Sequence, residues 1–222
     1  MRPVSTNSVL LALAVMLLHV LALASATAVA DQPVTCGSSI KLLHTQTKGQ
    51  LHSMDIKYNT GSMQQVVTAY PGTAGLGSGP GPHPGSYWLV EGPLGRACPR
   101  GTPVPCGSQI RLKHALTSTR LHSHLHRSPI SSTQEVSAFA HPSLPEGDSG
   151  DVWVVECSVK HKFWPRDQIV RLMHHDTGSF LASNARYQYG HPIPGQMEVS
   201  ATTSKNNDLH WMATEGIYIP PN

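Results

Sequence analysis

Histidine is the residue type with the most chemical promise in this chain, at 14 of 222 residues. His122, His124 and His126 alternate in RLHSHLHR, so along an extended strand their imidazoles share one face. A row of imidazoles with an ordinary pKa of about 6.5 binds transition metals or senses pH. Leu121 and Leu125 are expected to take the opposite, buried face, which leaves the three histidines toward solvent as a candidate pH- or partner-sensitive surface. A second set, His44, His114 and His174, recurs at matching points of three similar segments. Three imidazoles meeting on an axis would suit zinc with an open fourth position. A simpler account is a polar residue at a strand end that bonds a repeated turn. On that account no metal or cofactor is expected.

Other residue types offer binding rather than catalysis. Asp55 with Tyr58, and Asn184 with Tyr187, each set a carboxylate or amide near an aromatic ring, the combination with which proteins hold sugar hydroxyls and a sugar face. The matching segment of the middle repeat has His124 and Arg127 instead. Trp164, in HKFWPRD beside Phe163 and Arg166, reads as an aromatic outside the repeat pattern and a candidate anchor for a partner. Gly147-Asp148-Ser149-Gly150 matches part of a serine-protease nucleophile loop. Asp151 stands where that loop needs a glycine, so the segment reads as a turn. No catalytic residue is expected.

The elements that must carry these side chains come in threes. CGSSIKLLH (36–44), CGSQIRLKH (106–114) and DQIVRLMH (167–174) alternate apolar and polar residues as half-buried strands do. Seven residues after each of their histidines, Leu51, Leu121 and Leu181 open LHS, LHS and LAS. Each unit closes on a tryptophan, Trp88, Trp153 or Trp211. No helical apolar period persists, so the class is all-β: three pseudo-symmetric repeats (33–91, 98–156 and 160–217) of four strands, twelve in all, closing as one β-trefoil over 33–221. Residues 71–86, rich in Gly and Pro, read as an insertion. Four cysteines allow three disulfide connectivities. Parity within repeats favours Cys36–Cys98 and Cys106–Cys157, leaving the third repeat without a staple.

Residues 1–30 have a basic start, an apolar core from Val9 to Ala24 and small residues before Asp31, the pattern of a secretory signal peptide. The rest of the chain has no run of spanning length. Charged residues are 13%, and a net charge of +3 is spread along the chain. This argues against nucleic acid as a partner, which needs clustered Lys or Arg.

At this point the motifs carry a resemblance. The order L-x-H, LHS, Q-x-V and W, three times over, resembles the MIR domain. VTCGSSIKLLH, LHSMDIKYNTGSMQQVVT, CPRGTPVPCGSQIRLKH, LHSHLHRSPISSTQEVSAF and EGIYIPP are similar to the stromal cell-derived factor 2-like proteins over about residues 34–221. The resemblance implies a β-trefoil of MIR repeats and a non-enzymatic adaptor of the endoplasmic reticulum lumen. Its implied partners are a J-domain co-chaperone, the lumenal heat-shock-type chaperone and misfolded clients; glycan binding is the alternative. The final Ile219-Pro220-Pro221-Asn222 is not a retrieval signal of the receptor-read kind. The expected location is therefore the lumen, or outside the cell by secretion.

Overall fold

The alternating segments form strands, and their pairing shows how three copies make one object. The computed structural model describes residues 32–71, 83–158 and 160–222. The expected signal peptide, and residues 72–82 of the Gly/Pro-rich insertion, lie outside the described residues. The strands are β1 (Ser39–His44), β2 (Gly49–Lys57), β3 (Gln65–Pro71), β4 (Trp88–Glu91), β5 (Gln109–His114), β6 (Arg120–Arg127), β7 (Gln134–Phe139), β8 (Trp153–Cys157), β9 (Val170–His174), β10 (Phe180–Gln188), β11 (Met197–Thr202) and β12 (Trp211–Ile217). A one-turn 3₁₀ segment precedes the last strand of each repeat: Pro84–Ser86, Ser149–Asp151 and Asn207–Leu209.

First and fourth strands pair antiparallel in the closed order β1, β4, β5, β8, β9, β12 and back to β1. The remaining strands form three hairpins, β2–β3, β6–β7 and β10–β11. Their β3, β7 and β11 pair with one another in a triangle. A six-stranded ring capped by three hairpins is the β-trefoil, and closing the ring removes edge strands. Register places His44 opposite Trp211, His114 opposite Trp88 and His174 opposite Trp153. Each repeat is thus zipped to the last strand of its predecessor and buries nothing adequately alone.

The core is built in threefold layers. Leu42, Leu112 and Leu172 are fully buried, as are Leu51, Leu121 and Leu181, and Trp88, Trp153 and Trp211. Each of those tryptophans donates its indole N–H to the carbonyl of Leu51, Leu121 or Leu181 at 2.9–3.0 Å. The indole thereby satisfies its one polar atom while filling the core.

Trp164 belongs to the repeat pattern after all, which corrects its reading as an outlying anchor. It is the third member of a backbone triangle: Val34 N–H donates to Trp164 C=O (2.8 Å), Trp164 N–H to Val104 C=O (2.8 Å) and Val104 N–H to Val34 C=O (3.0 Å). Its side chain is fully buried, in the same core cluster as Val34 and Val104. In the turn that follows, Gly37 and Gly107 have φ near +80° and Asp167 has φ of +53°. Aspartate tolerates this left-handed region where most side chains do not.

The disulfides join Cys36 to Cys98 and Cys106 to Cys157, with Cα separations of 6.0 and 5.6 Å, and suit an oxidising compartment. At the same place in the third repeat stands Arg166, whose guanidinium lies 3.6 Å from the Tyr218 ring centroid. The cation beside Trp164 is engaged inside the fold. Among the described residues no helix is long and apolar enough to cross a membrane.

Candidate functional site

His44, His114 and His174 are turn struts. Their Nε2 atoms donate to the carbonyls of Asp208, Gly85 and Gly150 at 2.9–3.0 Å. With Nε2 protonated, each Nδ1 accepts from the hydroxyl of Thr47, Thr117 or Thr177 at 2.7–2.9 Å. Burial pushes all three imidazoles below their ordinary pKa, which favours this neutral form. Two of the threonines also accept from a glutamine amide, Gln65 onto Thr117 and Gln134 onto Thr177, both 2.9 Å. The strut fixes the 3₁₀ turn, and the turn then faces the first half of the second strand of its own repeat. This juxtaposition makes three equivalent surface sites.

In repeat one the site is aromatic. His52 is fully buried, with Nδ1 3.1 Å from the Ser86 hydroxyl. Its ring lies 4.5 Å from that of His83 and 4.9 Å from that of Tyr70. Burial, reinforced by the neighbouring His83 and His114, lowers its pKa to about 3.

Repeat two sets an imidazole against carboxylates. His122 is buried, its Nδ1 3.0 Å from Asp151 Oδ1 and 3.5 Å from Asp148 Oδ1. The expected row of solvent-facing histidines is therefore corrected. The rings of His122, His124 and His126 do form a ladder, with centroids 5.2 and 4.8 Å apart, but only His126 is exposed. His124 turns its Nε2 to the fully buried Glu135, 3.0 Å away. Leu125, expected to be buried, is 85% exposed. The cause is a register break: β6 pairs with β7 through Ser123↔Val136 and resumes only at Arg127↔Gln134. The intervening residues leave the ladder, and alternation there no longer reports burial.

Repeat three is an open polar hollow of about 170 Å³. Asn184 and Tyr187 line it together with Asn206, Asp208 and Glu198. Asn184 Nδ2 and Asn206 Nδ2 both donate to Asp208 Oδ2, at 2.9 and 3.1 Å. The expected pairing of Asn184 with Tyr187 is thus realised in space. That of Asp55 with Tyr58 is not: Asp55 is exposed, while Tyr58 is 4% exposed and packs with Val66 and Ile193. Its hydroxyl donates to Val136 C=O at 2.9 Å, bonding repeat one to repeat two, so no ring face remains for a sugar. Burial also holds the Tyr58 phenol above its ordinary pKa.

Asp148, Asp151, Asn206 and Asp208 were not among the expected site residues. The signal that finds them is position relative to the tryptophan. Five residues before it stand His83, Asp148 and Asn206; three before, Gly85, Gly150 and Asp208; two before, Ser86, Asp151 and Leu209.

Comparison with known proteins agrees with this architecture. The MIR domain family matches residues 52–210. Human stromal cell-derived factor 2-like protein 1 is 46% identical over 188 residues, covering 85% of this chain and 79% of the relative. The crystal structure of the SDF2-like protein from Arabidopsis thaliana superposes with a TM-score of 0.78 at 42% identity, over 86% of this chain and 99% of that one. A protein O-mannosyltransferase complex of S. cerevisiae, solved with its sugar donor, superposes with a TM-score of 0.69 at 28% identity, over 87% of this chain and 28% of that one.

Proposed function

This chain belongs to the stromal cell-derived factor 2-like family of MIR-domain proteins, and from that premise we propose that it is a non-enzymatic adaptor of the endoplasmic reticulum lumen. It joins a J-domain co-chaperone and the lumenal heat-shock-type chaperone and helps keep misfolded clients soluble. The observation that carries this reading is the whole-domain match to the human relative. The molecule suits the task physically. Its hairpin cap is tied by buried carboxylates that reach between repeats: Glu198 accepts from the backbone N–H of Ile130 (2.7 Å) and Ser131 (2.9 Å). Two disulfides and a closed ring add rigidity. A rigid body loses little conformational entropy when it docks.

The test is affinity capture of the tagged protein from its secretory lumen, with mild crosslinking and with half of the sample treated with glycosidase. Recovery of a J-domain protein and a lumenal chaperone from both halves is the expected result. Purified protein that neither captures a J-domain partner nor slows client aggregation would overturn the proposal. A second reading, glycan binding, is favoured by the repeat-three hollow, where an amide, a carboxylate and a tyrosine meet. It predicts glycoproteins that disappear after glycosidase, and loss of that capture in Asn184→Ala.

A further inference from the structure

His122, Asp148 and Asp151 are assigned no part in the adaptor reading, yet their donor atoms converge. One ligand atom from each lies within 4.8 Å of the other two. We propose that these three side chains bind one divalent transition-metal ion, zinc, with solvent at a fourth position. In a tetrahedral zinc site with metal–ligand bonds of about 2.0–2.2 Å, neighbouring ligand atoms are about 3.4 Å apart. The separations from His122 Nδ1, 3.0 and 3.5 Å, bracket that edge. The third edge, between the two carboxylates, lies within 4.8 Å, so the ion is held once a carboxylate turns inward to shorten it.

The surroundings hold the donors in place. Asp151 Oδ2 accepts the Asp148 backbone N–H at 3.0 Å, leaving Oδ1 toward the imidazole. Asp148 Oδ1 accepts the Gly150 N–H at 2.9 Å and also faces His122 Nδ1 at 3.5 Å, since a carboxylate oxygen accepts more than one bond. The His122 ring is confined between Phe139, with centroids 5.3 Å apart, and the Gly150 backbone, which a side chain at that position would push into the imidazole. Such outer contacts orient ligands for metal. Asp151 and His122 are buried, whereas the Asp148 side chain is 38% exposed, giving the ion a route in.

The other repeats show that the fold does not demand this chemistry. The turn-capping position held by Asp148 carries no carboxylate elsewhere: His83 Nδ1 accepts from Gly85 N–H at 3.2 Å, and Asn206 Oδ1 from Asp208 N–H at 3.0 Å. Where Asp151 stands, the other repeats have Ser86 and Leu209; where His122 stands, they have His52 and Ala182. Only repeat two, among the described residues, gathers two carboxylates on one imidazole. Among the described residues, His122 is the one basic group paired with either of them. Two carboxylates against a single imidazole leave negative charge that a divalent cation neutralises.

The experiment titrates zinc chloride into the disulfide-intact protein after chelator treatment, by calorimetry, with magnesium as a control. His122→Ala and Asp148→Asn are the variants, since each installs the residue repeat three already uses in the same fold. His126→Ala controls for binding to the exposed histidine. Thermal melting without metal verifies that each variant is folded. The expected result is one saturable zinc per chain, raising the melting temperature, with affinity lowered about tenfold or more in H122A and D148N and unchanged in H126A. Zinc-edge anomalous scattering from crystals then places the ion on His122 Nδ1. The proposal is overturned if the wild type takes up no zinc, if H122A and D148N bind as the wild type does, or if the anomalous peak lies elsewhere.

Discussion

Replacing His52 by alanine should flatten the dependence of stability on pH by a calculable amount. The folded protein holds this imidazole at a pKa of about 3, while the unfolded chain returns it to about 6.5. Between those values the unfolded state binds a proton that the folded state refuses, so stability rises with pH across the window and is lost as pH falls below 6.5. Going from pH 7 to pH 5, the unfolded His52 changes from mostly neutral to almost fully protonated. The linkage integral for this one group is then about 1.9 kcal/mol. His44, His114 and His174 are shifted in the same direction but remain in both proteins and cancel in the comparison. At pH 7 the variant should be less stable by about 2–3 kcal/mol, from the lost Ser86 contact and the space left between Tyr70 and His83. The assay is denaturant unfolding at both pH values, at constant ionic strength with disulfides intact. The gap between wild type and H52A should narrow by about 1.9 kcal/mol at pH 5. An unchanged gap would refute the claim that burial keeps this histidine neutral.

Three further outcomes are expected. Removing the Cys106–Cys157 bond by paired alanine substitution frees residues 51 apart in sequence and should cost about 4 kcal/mol in unfolding free energy; a loss below about 1 kcal/mol would mean the unfolded chain is already constrained there. Glu198→Gln turns an amide N–H toward donors that need an acceptor, and should lower stability by about 2–3 kcal/mol, measured by chemical denaturation. Iodide should quench native tryptophan emission very little, because all four indoles are fully buried; a quenched component absent from Trp164→Phe would return that residue to the surface.

The repeat and its trefoil closure were legible because period-two alternation and recurring His, Leu and Trp positions report on burial, which is what the core requires. The histidine struts were legible for the same reason, as a turn used three times calls for one hydrogen-bonding residue three times. Alternation failed where the ladder breaks. Leu125 follows the pattern of a buried strand residue but sits in the β6 bulge, and His122 is covered by a turn 26 or more residues away in sequence. Trp164 misled through size. Counting from the following Cys36 and Cys106 places Val34 and Val104 at its position, and only the unlike side chain concealed the equivalence.

Repetition also separates what the fold needs from what one site adds. Where all repeats agree, as at His44, His114 and His174, a single structural account covers every copy. Where they disagree, the fold has already shown that it accepts alternatives, so the particular choice asks for another cause. The three sites facing the 3₁₀ turns share backbone geometry but hold an aromatic histidine cluster, an imidazole with two carboxylates, and an amide–carboxylate hollow. Stability alone does not select among them, since each turn is capped and Trp88, Trp153 and Trp211 are bonded regardless. A buried carboxylate and a half-buried one around the buried His122 are the costliest of these choices to keep without a counter-charge. The second repeat therefore carries the one arrangement, among the described residues, in which a turn sets two carboxylates on an imidazole that the trefoil itself does not require.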